Sequence, residues 1–147
     1  MQSNELLVYL VDDDEDDRFL FSDALKRSNS NIHLKMFQEA SEVLDHLKTT
    51  EAIPDVIFID LNMPLINGEE LLEKIKSGPN NRDIPIIVYS TSYNPRKAQS
   101  VLEKGGSLLL KKPASFKELQ KKIQESINTV LKSNSPIQDS TNENKLA

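Results

Sequence analysis

Leu6-Leu7-Val8-Tyr9-Leu10-Val11, running straight into Asp12-Asp13-Asp14-Glu15-Asp16-Asp17, is the stretch whose reading decides the fold. An unbroken apolar run of this length fits a strand covered on both faces, as in a parallel sheet. Acidic residues are poor strand formers, and crowding them is costly. A second run, Val56-Ile57-Phe58-Ile59, ends the same way, at Asp60, before Leu61-Asn62-Met63-Pro64. Carboxylates placed where two buried strands run out suggest a site for a divalent cation. Such a site would also create a reactive carboxylate.

Three further short apolar runs lie at residues 34–37, 86–89 and 108–110. Helical patterns separate the five runs. Leu20, Ala24 and Leu25, with Phe21 beside them, fall at helical spacing after the acids, and Val43, Leu44 and Leu47 repeat the spacing near Ser41. Leu71, Leu72 and Ile75 follow Asn67-Gly68 and stop near Gly78-Pro79. Asn94-Pro95 reads as a cap with proline at the first helical position, and Gly105 closes that helix after Val101 and Leu102. Phe116, Leu119, Ile123, Ile127, Val130 and Leu131 form a one-sided stripe that predicts a final helix packed on the sheet. Part of that helix, or its neighbour, is also a candidate homodimer face. Five βα units with right-handed crossovers predict a doubly wound α/β sheet, with ligands beyond the carboxyl ends of the strands.

Composition narrows the function. The 147 residues suffice for one domain with a proper core, expected over residues 1–132. From Ser133 to Ala147 only Ile137, Leu146 and Ala147 are apolar, which reads as a disordered tail over 133–147. The net charge of −5 argues against direct nucleic-acid binding; the locally basic stretch 111–132 reads as a solvated helix face. Absence of cysteine excludes disulfides, thiolate metal sites and cysteine nucleophiles. No signal peptide is legible and no stretch approaches the roughly 20 apolar residues of a membrane span, so the expected location is cytoplasmic, with no membrane partner. His33 and His46 lack metal-ligand spacing and read as surface or packing residues.

Strand ends supply Asp12 and Asp13, Asp60, Ser90 with Thr91, and Lys112. With strand order 2-1-3-4-5, the first and third strands are neighbours about 4.8 Å apart, so Asp13 and Asp60 can share one ion. Two carboxylates about 4 Å apart repel by roughly 4 kcal/mol at an effective dielectric of 20, and a hard dication removes that penalty. Oxygen-only ligands favour Mg²⁺. Lys112 can bridge most of the roughly 10 Å to Asp60 and meet an anion bound there. Ser90 or Thr91 offers a hydroxyl from the strand between. Positioning and charge neutralisation are what phosphoryl transfer demands, with Asp60 as nucleophile forming an aspartyl phosphate.

Taken in order, Val11-Asp12-Asp13, Asp60-Leu61-Asn62-Met63-Pro64 with Gly68, Ile84-Pro85, Ser90-Thr91 and Lys112-Pro113 resemble a response-regulator receiver domain of two-component signalling, over residues 6–131. The resemblance implies a flavodoxin-like (βα)5 fold. It implies that Asp60 accepts phosphate from a phosphohistidine on a sensor histidine kinase or a histidine phosphotransfer protein. It further implies that Asp13, Asp60 and the Asn62 backbone carbonyl ligate Mg²⁺, with Asp12 acting through water. Ser90 would follow the phosphate with its hydroxyl, Lys112 would pair with it, and Asn62 and Ser92 would tune the lifetime of the phosphorylated state. Leu109 stands where the family often has Tyr or Phe, and Lys111 where an apolar residue is usual.

The leading expectation is a stand-alone phosphoacceptor, not a conventional enzyme, that switches a downstream protein or relays the phosphate. The alternatives fit less well. A calcium loop beginning at Asp12 fails because Asp17 stands where glycine is needed and Asp23 where glutamate is needed. An aspartyl-phosphate phosphohydrolase would need an acid at Asn62 and a cap domain. A flavin carrier would need a phosphate-binding loop where six acids stand. A phosphorylation-independent scaffold has no use for the complete acidic set.

Overall fold

The computed structural model describes residues 5–28 and 31–133, so nearly all of the expected tail lies outside the described residues. The strands are β1 (Leu6–Val11), β2 (Ile32–Phe37), β3 (Val56–Asp60), β4 (Ile86–Ser90) and β5 (Leu108–Lys111). The helices are α1 (Glu15–Ser28), α2 (Ala40–Thr49), α3 (Gly68–Lys76), α4 (Pro95–Glu103) and α5 (Phe116–Ser133). All pairings are parallel and the order is β2-β1-β3-β4-β5, the expected flavodoxin-like topology.

The central strands β3 and β4 are buried at every position, which explains their unbroken apolar runs. Side chains alternate between the two faces and feed two cores. Tyr9, Val11, Ile57, Ile59, Ile86 and Val88 pack with α2, α3 and Val101 of α4. Val8, Leu10, Phe58, Ile87 and Tyr89 pack with α1 and with Ile123, Ile127 and Val130 of α5. The stripe read on the last helix therefore faces the sheet. His46 packs against Tyr9 and Phe37, with ring centroids at 5.7 and 5.4 Å, and His33 is exposed.

Four strand boundaries differ from the sequence reading. β2 begins at Ile32 rather than Leu34, because an edge strand exposes His33 and Lys35 and does not read as a continuous apolar run. Strands β3, β4 and β5 each continue into a polar residue, Asp60, Ser90 and Lys111. Main-chain pairing carries on past the apolar residues: the Leu61 N–H donates to the Tyr89 carbonyl at 2.8 Å and the Lys112 N–H to that of Ser90 at 2.7 Å.

Helix ends follow local chemistry. Asn67 and Glu70 form a reciprocal capping box on α3. Asn94 accepts the Lys97 N–H at 2.8 Å, with Pro95 behind it. Gly105, at φ +101°, follows α4 in a conformation that costs an L residue dearly. No described helix is long and apolar enough to cross a membrane.

Candidate functional site

The site sits at the carboxyl edge of β1, β3 and β4, where the strand order reverses. Val11 pairs with Ile59, and Asp60 pairs with Tyr89. One residue further along β1, Asp12 therefore lies in the row of Asp60 and Tyr89, on the face covered by α1 and α5. Asp13 follows in the loop and is exposed, whereas Asp12 is 0% and Asp60 5% exposed. Carboxylate oxygens of Asp12, Asp13 and Asp60 all lie within 4.8 Å of one another.

Lys112 reaches this cluster from the end of β5, as its position predicted. Its Nζ is 3.2 Å from Asp60 Oδ1 and 3.6 Å from Asp12 Oδ2. Its shortest contact was not foreseen: it donates to Asp17 Oδ2 at 2.8 Å. The sequence reading gave Asp17 no part in the site. Asp17 lies in the acidic first turn of α1, with its N–H on the Asp14 carboxylate at 2.9 Å, but its side chain turns to the lysine. Arg18, one residue on, donates to the Asp12 main-chain carbonyl at 2.9 Å.

These surroundings set the charges. Burial pushes the Asp12 carboxyl up to about 6, against the pull of the Asp14 N–H and the Lys112 charge. Burial also raises Asp60, opposed by Lys112 and the Asn62 N–H and reinforced by the charge of Asp13. Burial would lower Lys112, but its hydrogen bond to Asp17 and the charges of Asp12 and Asp60 win and lift it to about 12. Buried carboxylates that bind protons too readily are short of positive charge, and one lysine does not fill the deficit. An all-oxygen donor set with that deficit fits a hard divalent cation.

Other predicted residues surround the cluster. Asn62 is exposed in the loop after β3, and its N–H supports the Asp60 carboxylate. Ser90 is buried at the end of β4, where its Oγ accepts the Ser92 N–H at 3.2 Å; Thr91 and Ser92 are exposed. Leu109, at the family's usual aromatic position, is buried in the core with Val101, and Lys111 is exposed beside Ser90.

Tyr89 was missed by the sequence reading, which counted it as strand core. Its hydroxyl donates to Asp12 Oδ2 at 3.0 Å and Lys112 Nζ lies 4.7 Å from its ring centroid. Burial holds the phenol well above its ordinary pKa, so it stays a donor. The available signal was its place one residue before Ser90, on the face of Ile87.

Behind the site, Gly68 packs on the end of β3. A Cβ there would stand 2.7 Å from the Asp60 carbonyl oxygen and 2.7 Å from Leu61 Cα. The next residue, Glu69, is 7% exposed and gathers groups from α4 and its C-cap residue: Ser100 Oγ at 2.6 Å, Lys104 Nζ at 2.7 Å and Lys97 Nζ at 2.9 Å.

Comparison with known proteins agrees with this geometry. Residues 8–124 match the model of the response regulator receiver domain. Response regulator Rcp1 of Synechocystis sp. is 28% identical over 123 residues, spanning 80% of this chain and 84% of Rcp1. The structure of the phosphorylated cyanobacterial phytochrome response regulator RcpA superposes with a TM-score of 0.77 at 26% identity, covering 86% of this chain and 94% of RcpA. The Mn²⁺-bound form of Rcp1 superposes with a TM-score of 0.71 at 28% identity, covering 82% and 90% of the two chains. The chain therefore belongs to the response regulator receiver domain family.

Proposed function

We propose that Asp60 accepts a phosphoryl group from a phosphohistidine in a Mg²⁺-dependent reaction, and that the chain acts as a stand-alone regulator. The observation that carries this reading is the convergence of Asp12, Asp13 and Asp60 with Lys112 Nζ 3.2 Å from Asp60 Oδ1. Transfer breaks the N–P bond and forms an O–P bond on Asp60. The leaving imidazole, protonated on its other nitrogen, keeps the electron pair. When bound, Mg²⁺ would supply charge neutralisation to the crowded carboxylates and the phosphoryl group. Asp13, Asp60 and the Asn62 carbonyl would hold it, and Asp12 would act through water. Lys112 is freed from carboxylate partners to meet the new phosphoryl charge, and the Ser90 hydroxyl turns toward it, with Thr91 beside it. Asn62 and Ser92 flank the phosphoryl group and set how readily water reaches it.

The phosphodonor is a sensor histidine kinase or a histidine phosphotransfer protein. The phosphorylated surface then engages a downstream protein or passes the phosphate onward. The match over 84% of the length of Rcp1 supports the stand-alone reading, and the Mn²⁺-bound Rcp1 structure supports a divalent cation. Incubation with a small phosphodonor and Mg²⁺ is expected to add one base-labile phosphate, visible by intact mass. Asp60→Asn is expected to prevent it, and equal labelling of that variant would refute the acceptor assignment.

A further inference from the structure

Strand β4 reads Ile86-Ile87-Val88-Tyr89-Ser90, and every residue in it is buried. Tyr89 is 2% exposed and packs its ring near Phe21 and Phe58, at centroid distances of 6.0 and 6.3 Å. Phenylalanine would fill that space equally well. A buried phenol is costly unless its hydroxyl finds a partner, and here the partner is Asp12 Oδ2 at 3.0 Å. The other oxygen, Asp12 Oδ1, accepts the Asp14 N–H at 3.0 Å. One donor comes from the loop after β1 and the other from β4, two strands away across β3. Two donors on two oxygens hold the carboxylate in one orientation without any cation.

The same side chain touches the basic limb of the site, with Lys112 Nζ 4.7 Å from the ring centroid. Lys112 also lies 3.6 Å from Asp12 Oδ2, the oxygen that Tyr89 engages. Without the hydroxyl, that oxygen would be left to the lysine and pulled out of the orientation in which the three carboxylates converge.

We propose that Tyr89 is a positioning residue of the acidic site, its hydroxyl holding Asp12 in the orientation that receives a divalent cation while its ring seats Lys112. This role rests on the Mg²⁺ reading above. The test is calorimetric titration of the full chain with MgCl2 for the unaltered protein, Tyr89→Phe, Asp12→Asn and the double variant. Mn²⁺ titration followed by electron paramagnetic resonance extends the range for the weaker variants. Partners that orient metal ligands typically change affinity by about 10- to 100-fold. Tyr89→Phe is expected to weaken Mg²⁺ binding about tenfold, at the lower end of that range, and to weaken it less than about twofold when Asp12→Asn is already present. A merely structural role would lower the melting temperature in EDTA and leave the affinity of the folded protein unchanged. Unchanged affinity in Tyr89→Phe, or the same loss in both backgrounds, overturns the role. If the unaltered protein takes up no divalent cation, the metal reading itself falls and the positioning role falls with it. Uptake by the unaltered protein with no effect of Tyr89→Phe removes the Tyr89 assignment alone.

Discussion

Replacing Glu69 with glutamine takes away the charge on which α4 hangs. α4 spans nine residues, shorter than the roughly 12–15 at which isolated helices become even marginally stable, and Val101 is its single buried residue. What holds it to α3 is largely one carboxylate, which accepts from Ser100 at 2.6 Å, Lys104 at 2.7 Å and Lys97 at 2.9 Å. Burial pushes Glu69 upward, but these three donors outweigh it and carry the carboxyl from 4.5 down to about 2. At about 1.4 kcal/mol per pH unit, that drop sets a ceiling of about 3 kcal/mol. The lysine side chains are 42% and 34% exposed, so solvent screening trims the sum to about 2 kcal/mol. A separate count, about 0.5 kcal/mol for each screened lysine and about 1 kcal/mol for the serine, reaches the same figure. Because the folded pKa is depressed, the contribution is complete above about pH 4.5 and fades as pH falls through about 2.

Urea unfolding followed by circular dichroism is the assay. Glu69→Gln is expected to lose about 2 kcal/mol at pH 7, or roughly 6 °C in melting temperature. The difference from the unaltered protein should hold between pH 5 and 7 and shrink below about 1 kcal/mol at pH 2.5. Amide exchange should quicken in α4 before α1. A loss under about 0.5 kcal/mol at pH 7, or one indifferent to pH, would refute the reasoning.

Gly68→Ala places a methyl group against main chain that cannot swing aside, 2.7 Å from the Asp60 carbonyl oxygen. It is expected to cost about 2–3 kcal/mol by urea unfolding and to slow phosphoryl uptake, and a variant of unaltered stability would contradict the close packing. Leu65 stands at φ +67° with 97% of its surface exposed, so its side chain gives back little for the strain. Relief of about 1–2 kcal/mol, less the added freedom of an unfolded glycine, predicts that Leu65→Gly gains about 0.5 kcal/mol. A melting temperature lowered by several degrees would show that Leu65 has a packing role.

Sequence alone determined a great deal here. Val56-Ile57-Phe58-Ile59 and its companions read as strands buried on both faces, because a strand covered on both sides needs apolar residues at every position. Asp12, Asp13, Asp60, Ser90 and Lys112 could be assigned to one edge, because a parallel βα fold sends every strand end the same way. Asn67 and Asn94 marked helix starts through bonds made within a few residues. Asp17, Tyr89 and Glu69 resisted the same treatment. Each has an ordinary local role, as helix-start acid, strand aromatic and first-turn glutamate, and a second role that depends on a distant partner. Lys112 meets Asp17 across 95 residues, Tyr89 meets Asp12 across 77, and Glu69 meets Ser100 and Lys104 across 31 and 35. Those encounters depend on strand register and helix rotation, which packing of the two cores settles for the whole sheet at once. Local patterns report which face a side chain takes, but only tertiary structure decides what waits there.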